Sequence, residues 1–183
     1  GSIFHAQRPA PTGLYFESMT FVWDLVWKAL APHIPDRLTA GHSLSACVCR
    51  IGGIRDNHGA AFLAIDPFAG GWGAGMNKDG ERGLVVSGAG ETNIMPVEIA
   101  ETRYPYTVEQ YAFNLAEGGA GRFRGGNGVI REYRIDNKEA TVGINVGRNK
   151  FPPWGMLRGK SGSSSVALVF KNDAIEPLIQ RKV

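Results

Sequence analysis

Gly118-Gly119-Ala120-Gly121-Arg122-Phe123-Arg124-Gly125-Gly126-Asn127-Gly128 runs directly into Val129-Ile130-Arg131-Glu132-Tyr133-Arg134. Glycine at this density implies turns and close backbone approaches rather than a helix. The residues that follow are β-prone, so the stretch reads as a tight double turn opening onto a strand at 129–135. A single Arg-Gly-Gly set between strand-like residues does not make a disordered RNA-binding segment. Arg122 and Arg124 are candidates for contact with an anionic ligand or a partner subunit.

Downstream of this stretch, residues 140–147 and 165–170 also read as strands. Asp136-Asn137-Lys138 fits a hairpin turn between 129–135 and 140–147. Upstream, 106–115 (YTVEQYAFNL) favours strand, and 84–87 a short one. Residues 43–51 and 60–66 are two more strands, joined by a turn that holds Gly52, Gly53, Asp56, Asn57 and Gly59. Ala69-Gly70-Gly71-Trp72-Gly73-Ala74-Gly75 is a glycine loop. Residues 15–31 place Phe16, Met19, Val22, Trp23, Val26, Trp27 and Leu30 at helical spacing, which predicts an amphipathic helix with an apolar, tryptophan-bearing buried face. Pro32 and Pro35 end it. Residues 1–14 read as an extended lead-in arm, and 174–183 as loosely ordered. The expected fold is α+β: an N-terminal amphipathic helix packed on a mainly antiparallel, glycine-rich sheet, in a single domain over 1–183.

Composition bounds the function classes. The chain has 183 residues, 43% hydrophobic and 20% charged, so it folds and buries a core. A net charge of +3 with scattered basic residues makes a poor case for nucleic acid. No apolar run approaches the roughly 20 residues that span a bilayer, and no signal-peptide pattern opens the chain. The two cysteines, Cys47 and Cys49, are badly placed for an unstrained disulfide, which predicts reduced thiols and a cytoplasmic protein.

Four constellations carry possible chemistry. Gly155-Met156-Leu157-Arg158-Gly159-Lys160-Ser161 has three residues between its glycines where a phosphate loop needs four, and a strand rather than a helix follows. His42, Cys47, Cys49 and His58 are zinc-type ligands, but they lack paired spacing, and buried cysteine behaves as a small hydrophobe. Glu98 and Glu101, with Arg103 nearby, could do acid–base work or bind a cation. The plainer reading is an ion pair with Arg103 on a solvated edge. In a strand the two glutamates would face opposite sides; in a helical turn they would share a face. Finally, Trp23 and Trp27 could dock a partner.

Pro96-Val97-Glu98, Glu101 and Pro105, then the Gly118–Arg131 segment, then Pro152-Pro153-Trp154-Gly155 occur in an order that resembles the C-terminal part of the hydantoinase B/oxoprolinase family, which is related to acetone and acetophenone carboxylase large subunits. Gly70–Ala74 with Asp79-Gly80, and Pro9-Ala10-Pro11, resemble it too. Ala116-Glu117 depart from the acidic residue and serine usual before the paired glycines. The resemblance implies a B-type subunit that pairs with an ATP-using A-type subunit to hydrolyse a cyclic amide such as a hydantoin or 5-oxoproline. The alternatives are a component of a ketone carboxylase or a noncatalytic interaction domain. ATP and a divalent metal are implied for the full assembly, with the metal ligands outside this chain. Gly1-Ser2-Ile3 reads as an internal family segment. On that reading the chain is the C-terminal portion of a longer subunit, partnered by the rest of it and incomplete as a catalyst alone. Glu98, Glu101 and Arg103 are the candidate site residues.

Overall fold

The computed structural model describes residues 5, 7–10, 17–90, 92–115, 118–171, 177 and 179–181. Most of the lead-in arm and of the 174–183 tail lie outside these, as do Tyr15, Phe16, Ala116 and Glu117. The described elements are helices α1 (Glu17–Leu30) and α2 (Val97–Arg103), with strands β1 (Val48–Ile54), β2 (Ala61–Pro67), β3 (Tyr106–Phe113), β4 (Val129–Ile135), β5 (Thr141–Asn145), β6 (Ala167–Val169) and β7 (Ile179–Arg181). The fold is α+β, as expected, and the strands form three antiparallel groups: β2-β1-β5, β3-β4 and β6-β7.

The period of two decides the first group. In β2, Phe62, Ala64 and Asp66 are buried, whereas Leu63 and Ile65 are exposed. Phe62 and Ala64 join Cys49 and Ile51 of β1 in a core that Ala100 of α2 and Tyr106 of β3 close from the other side. The core therefore lies between the β1–β2 face and the α2–β3–β4 unit. A bulge between Val108 and Gln110 shifts the β3–β4 register.

Local chemistry moves several expected boundaries. The strand expected from residue 43 starts at Val48, because Leu44 and Cys47 hold φ of 48° and 42°, which breaks a ladder. Gly52 and Gly53 lie inside β1, and the turn is made by 55–60, with Gly59 at φ 69°. The short strand expected at 84–87 shrinks to one bridge, Gly70 with Leu84, followed by a single 3-10 turn at Ser87–Ala89. Residues 179–181, expected to be loose, pair with β6.

The expected hairpin through Asp136-Asn137-Lys138 is not formed: β4 pairs with β3, and β5 with β1. The turn residues bind the β1–β2 turn instead. Asn137 Nδ2 donates to the Ile54 carbonyl at 2.8 Å, Asn137 Oδ1 accepts from the Asp56 amide at 3.1 Å, and the Lys138 amide donates to Asp56 Oδ2 at 2.6 Å. These bonds carry the chain from one sheet to the other.

Helix α1 forms where predicted but presents the opposite face. Met19, Trp23, Val26 and Leu30 are all about half exposed, while Thr20 and Asp24 are buried. The polar stripe is what the neighbouring loops need. Residues 42–47 cannot satisfy their backbone in a sheet, and buried backbone groups require partners. Thr20 Oγ1 donates to the Leu44 carbonyl, and the Glu17 carboxylate accepts from Ser45 Oγ and the Ala46 amide, both at 2.7 Å. Asp24 accepts from Trp154 Nε1 at 2.9 Å and meets Arg148 Nη2 at 2.7 Å. Arg148 Nη2 makes no aligned hydrogen bond, so this contact is an ion pair first. The helix therefore rests on loops 42–46 and 148–154 through these bonds.

Candidate functional site

The sequence-derived candidates lie on α2. Pro96, which suits a helix start, precedes it, and Tyr104-Pro105 ends it. Glu98 and Glu101 fall three apart on this helix, so they share a side of it. Both are exposed, as is Arg103. Glu101 Oε1 accepts from the Val108 amide at 2.8 Å, and the Arg103 carbonyl accepts from Arg55. The expected ion pair with Arg103 is not among the described salt bridges. None of the three lines the large cleft described next.

That cleft has a volume of about 2810 Å³. Its walls are the β5 side chains Val142 and Ile144, strand β4, the segment around β6, and the glycine loops at 69–76, 119–128 and 153–165. The loops touch so closely that side chains have no room. A Cβ on Gly126 would sit 1.9 Å from the Glu81 carbonyl oxygen, and one on Gly80 1.9 Å from that of Trp72. The Gly118–Gly128 segment thus uses its glycines for close approach, with the Gly126 amide bonded to Trp72 and the Gly125 amide to Gly119. Gly155–Ser161 closes on the same layer, with the Lys160 amide on the Ala120 carbonyl, and β6 follows it. Arg122 lines the cleft beside Phe123, while the Arg124 amide caps Asp79.

Beside the cleft lies a buried charged cluster that the sequence reading missed. Asp66 of β2 and Arg131 of β4 approach to 2.8 Å, with side chains 6% and 1% exposed. Tyr133 donates to the same Asp66 oxygen at 2.6 Å. The guanidinium lies over Tyr111 at 4.5 Å and Tyr133 at 5.6 Å. The Arg131–Asp66 contact is short, yet the arginine's N–H groups do not point along it. Nε and Nη1 also lack partners, as does Asp66 Oδ1. The contact is therefore mainly Coulombic. The available signal was alternation: Asp66 sits in register with inward Phe62 and Ala64, and an inward charge demands a partner. Its mate on a strand 65 residues later could not be read.

The cluster holds its protons. Burial, the hydrogen bond to Asp66 and the aspartate's charge push the Tyr133 phenol far up. Burial and Asp66 push Tyr106 to about 12 and the Cys49 thiol to about 11, and burial takes Cys47 to about 11 as well. Neutral thiols are poor nucleophiles, so the arrangement suits positioning rather than attack. His42 is clamped between Trp27 and Trp72, its Nδ1 accepting from the Gly73 amide at 2.8 Å. Burial lowers it to about 4, with Asp24 opposing and Arg148 adding. His58 is exposed, and His42, Cys47, Cys49 and His58 do not converge. Among the described residues no group of three or more His, Cys, Asp or Glu could hold a metal. No described helix is long and apolar enough to cross a membrane.

A sequence model of hydantoinase B/oxoprolinase matches residues 1–182. The chain belongs to the hydantoinase B/oxoprolinase family. A 5-oxoprolinase of Dictyostelium discoideum is 39% identical over 108 residues, which are 59% of this chain and 8% of that protein. The B-type subunit of a D-/L-hydantoinase from Pseudomonas sp. (strain NS671) is 30% identical over 162 residues, 88% of this chain and 26% of that one. A nucleotide-free structure of acetone carboxylase, from work on ATP-dependent acetone carboxylation, superposes with a TM-score of 0.70 at 19% identity, over 82% of this chain and 21% of that chain. This last likeness concerns the fold. The chain therefore spans less than a third of the length of each of these family relatives, and the Pseudomonas protein is by name one subunit of an enzyme.

Proposed function

We propose that this chain is the C-terminal portion of the B-type component of an ATP-dependent enzyme that opens cyclic amides of the hydantoin or 5-oxoproline kind. The observation that carries this is the family match along nearly the whole chain, joined to relatives named for those two substrates. An A-type subunit would supply ATP-dependent activation, since phosphorylation makes an unreactive amide carbonyl open to attack. The donor atoms among the described residues do not fit a divalent metal. We therefore assign ATP and metal to the rest of the assembly. The proposed part of this chain is to hold the glycine loops and the cleft in place, with protonated Tyr133 and Cys49 as fixed, unreactive groups. The exposed α2 residues Glu98, Glu101 and Arg103 are proposed as a ligand or subunit contact.

The test is ATP turnover by the assembly purified from source cells through a tag on this chain. ATP hydrolysis that rises with 5-oxoproline or hydantoin and yields the ring-opened acid supports the reading. Turnover that needs acetone and bicarbonate instead makes it a ketone carboxylase component. No ATP-linked activity at all leaves a noncatalytic interaction domain. Glu98→Ala that leaves both assembly and turnover unchanged removes the α2 contact.

A further inference from the structure

The cleft is too large and too open along strand edges for a small molecule. Ligand pockets run to roughly 300–1,000 Å³, against about 2810 Å³ here. Its apolar wall is a patterned one. Val166, Leu168 and Phe170 recur at alternate positions through and beside β6, Val142 and Ile144 do so on β5, and all five line the cleft while 38–49% exposed. Alternate positions share one face of a strand, so these are core-type faces with nothing against them among the described residues. The backbone is equally unfinished. Among the described residues β4 pairs with β3 alone and β6 with β7 alone. The whole run 129–135 borders the cleft, as does 166–171. A free edge presents unpaired N–H and C=O groups that natural proteins cover.

We propose that the cleft is filled by extended polypeptide, added as a strand on the free edge of β4 with apolar side chains against Val142, Ile144, Leu168 and Phe170. The occupant is the part of the B-type polypeptide that lies outside these 183 residues. This rests on the functional reading above. Relatives carry more than two thirds of their length beyond the matched stretch, and apolar surface of this kind belongs to permanent contacts, which resemble a core cut in half. Main-chain pairing would set the strand's direction and the alternate apolar positions its register.

The experiment is hydrogen–deuterium exchange on the 183-residue chain alone and on the tagged assembly from source cells. The amides of 129–135 should exchange at least about tenfold more slowly in the assembly. Those of β1, paired on both sides, should not change. A photo-crosslinking residue at Leu168 should link to B-type peptides outside this chain. If that substitution unfolds the chain, the exchange result stands by itself. Equal exchange at 129–135, links to the A-type subunit, protection produced by a second copy of this chain, or recovery of the chain alone under native conditions each overturn the proposal. Protection without ATP-linked ring opening removes the functional reading and keeps the docking. Ring opening with unprotected 129–135 does the reverse.

Discussion

Asp24→Asn isolates the contact that turns α1 onto its polar side. Asparagine keeps the volume and the Oδ1 acceptor for Trp154 Nε1, but it removes the charge that faces Arg148 at 2.7 Å. Both side chains are nearly buried, 7% and 6% exposed. The guanidinium then keeps its Nε bond to the His42 carbonyl and its place over the Phe21 ring, yet loses its counter-charge. Removing one partner of a buried pair costs about 3–5 kcal/mol. The poor alignment at Nη2 argues for the lower end, about 3 kcal/mol. For a chain of this size, where 1 kcal/mol moves Tm by about 2–4 °C, that is a fall of roughly 6–12 °C. Urea unfolding followed by tryptophan fluorescence reads it directly. Arg148→Met should lose a similar amount. The double variant Asp24→Leu/Arg148→Met should recover much of the loss, because an apolar replacement removes both desolvation penalties. Losses under about 1 kcal/mol in both single variants, or strictly additive losses in the double, would refute the claim that this pair orients α1.

The remaining predictions concern other sites. Gly126→Ala should destabilise by about 1–3 kcal/mol or more through collision with the Glu81 carbonyl, while Gly128→Ala, with open space around its Cβ, should stay within about 1 kcal/mol of the parent in the same urea assay. His42 is held neutral, with its pKa lowered from 6.5 to about 4. The unfolded state thus takes up the proton first, and this stability, full above pH 6.5, is lost as pH falls from 6.5 towards 4. The urea midpoint should fall across that window, and less steeply in His42→Asn. Burial keeps Cys47 and Cys49 as thiols, so iodoacetamide at about pH 8 should label neither until urea unfolds the chain; rapid labelling of the folded chain would contradict their burial.

Much of the local structure was legible. Helical spacing located α1, and β-prone runs located β2, β3, β4, β5 and β6 to within a few residues. The glycine segment was readable as a turn region because glycine's lack of a side chain has a direct steric meaning. What was not legible depends on distant partners. Trp23 and Val26 are apolar at core spacing, yet the loops beneath α1 carry unpaired backbone and a buried arginine, so the stripe of Glu17, Thr20 and Asp24 goes inward. Asp136-Asn137-Lys138 has hairpin composition, but it bonds to Ile54 and Asp56, which no local reading reaches. The Asp66–Arg131–Tyr133 cluster needed the pairing of two sheets. Glu98 and Glu101 were placed by motif order, and only the structure shows them exposed on one short helix.

The central claim is that this chain is a necessary, individually inactive part of a cyclic-amide-opening assembly. The most direct measurement is ring opening of 5-oxoproline with ATP, followed by product chromatography, for three samples: the chain alone, the assembly from cells lacking this stretch, and that assembly with the chain restored. The account predicts product only in the third. Ring opening by the chain alone, or undiminished opening without it, would contradict the account.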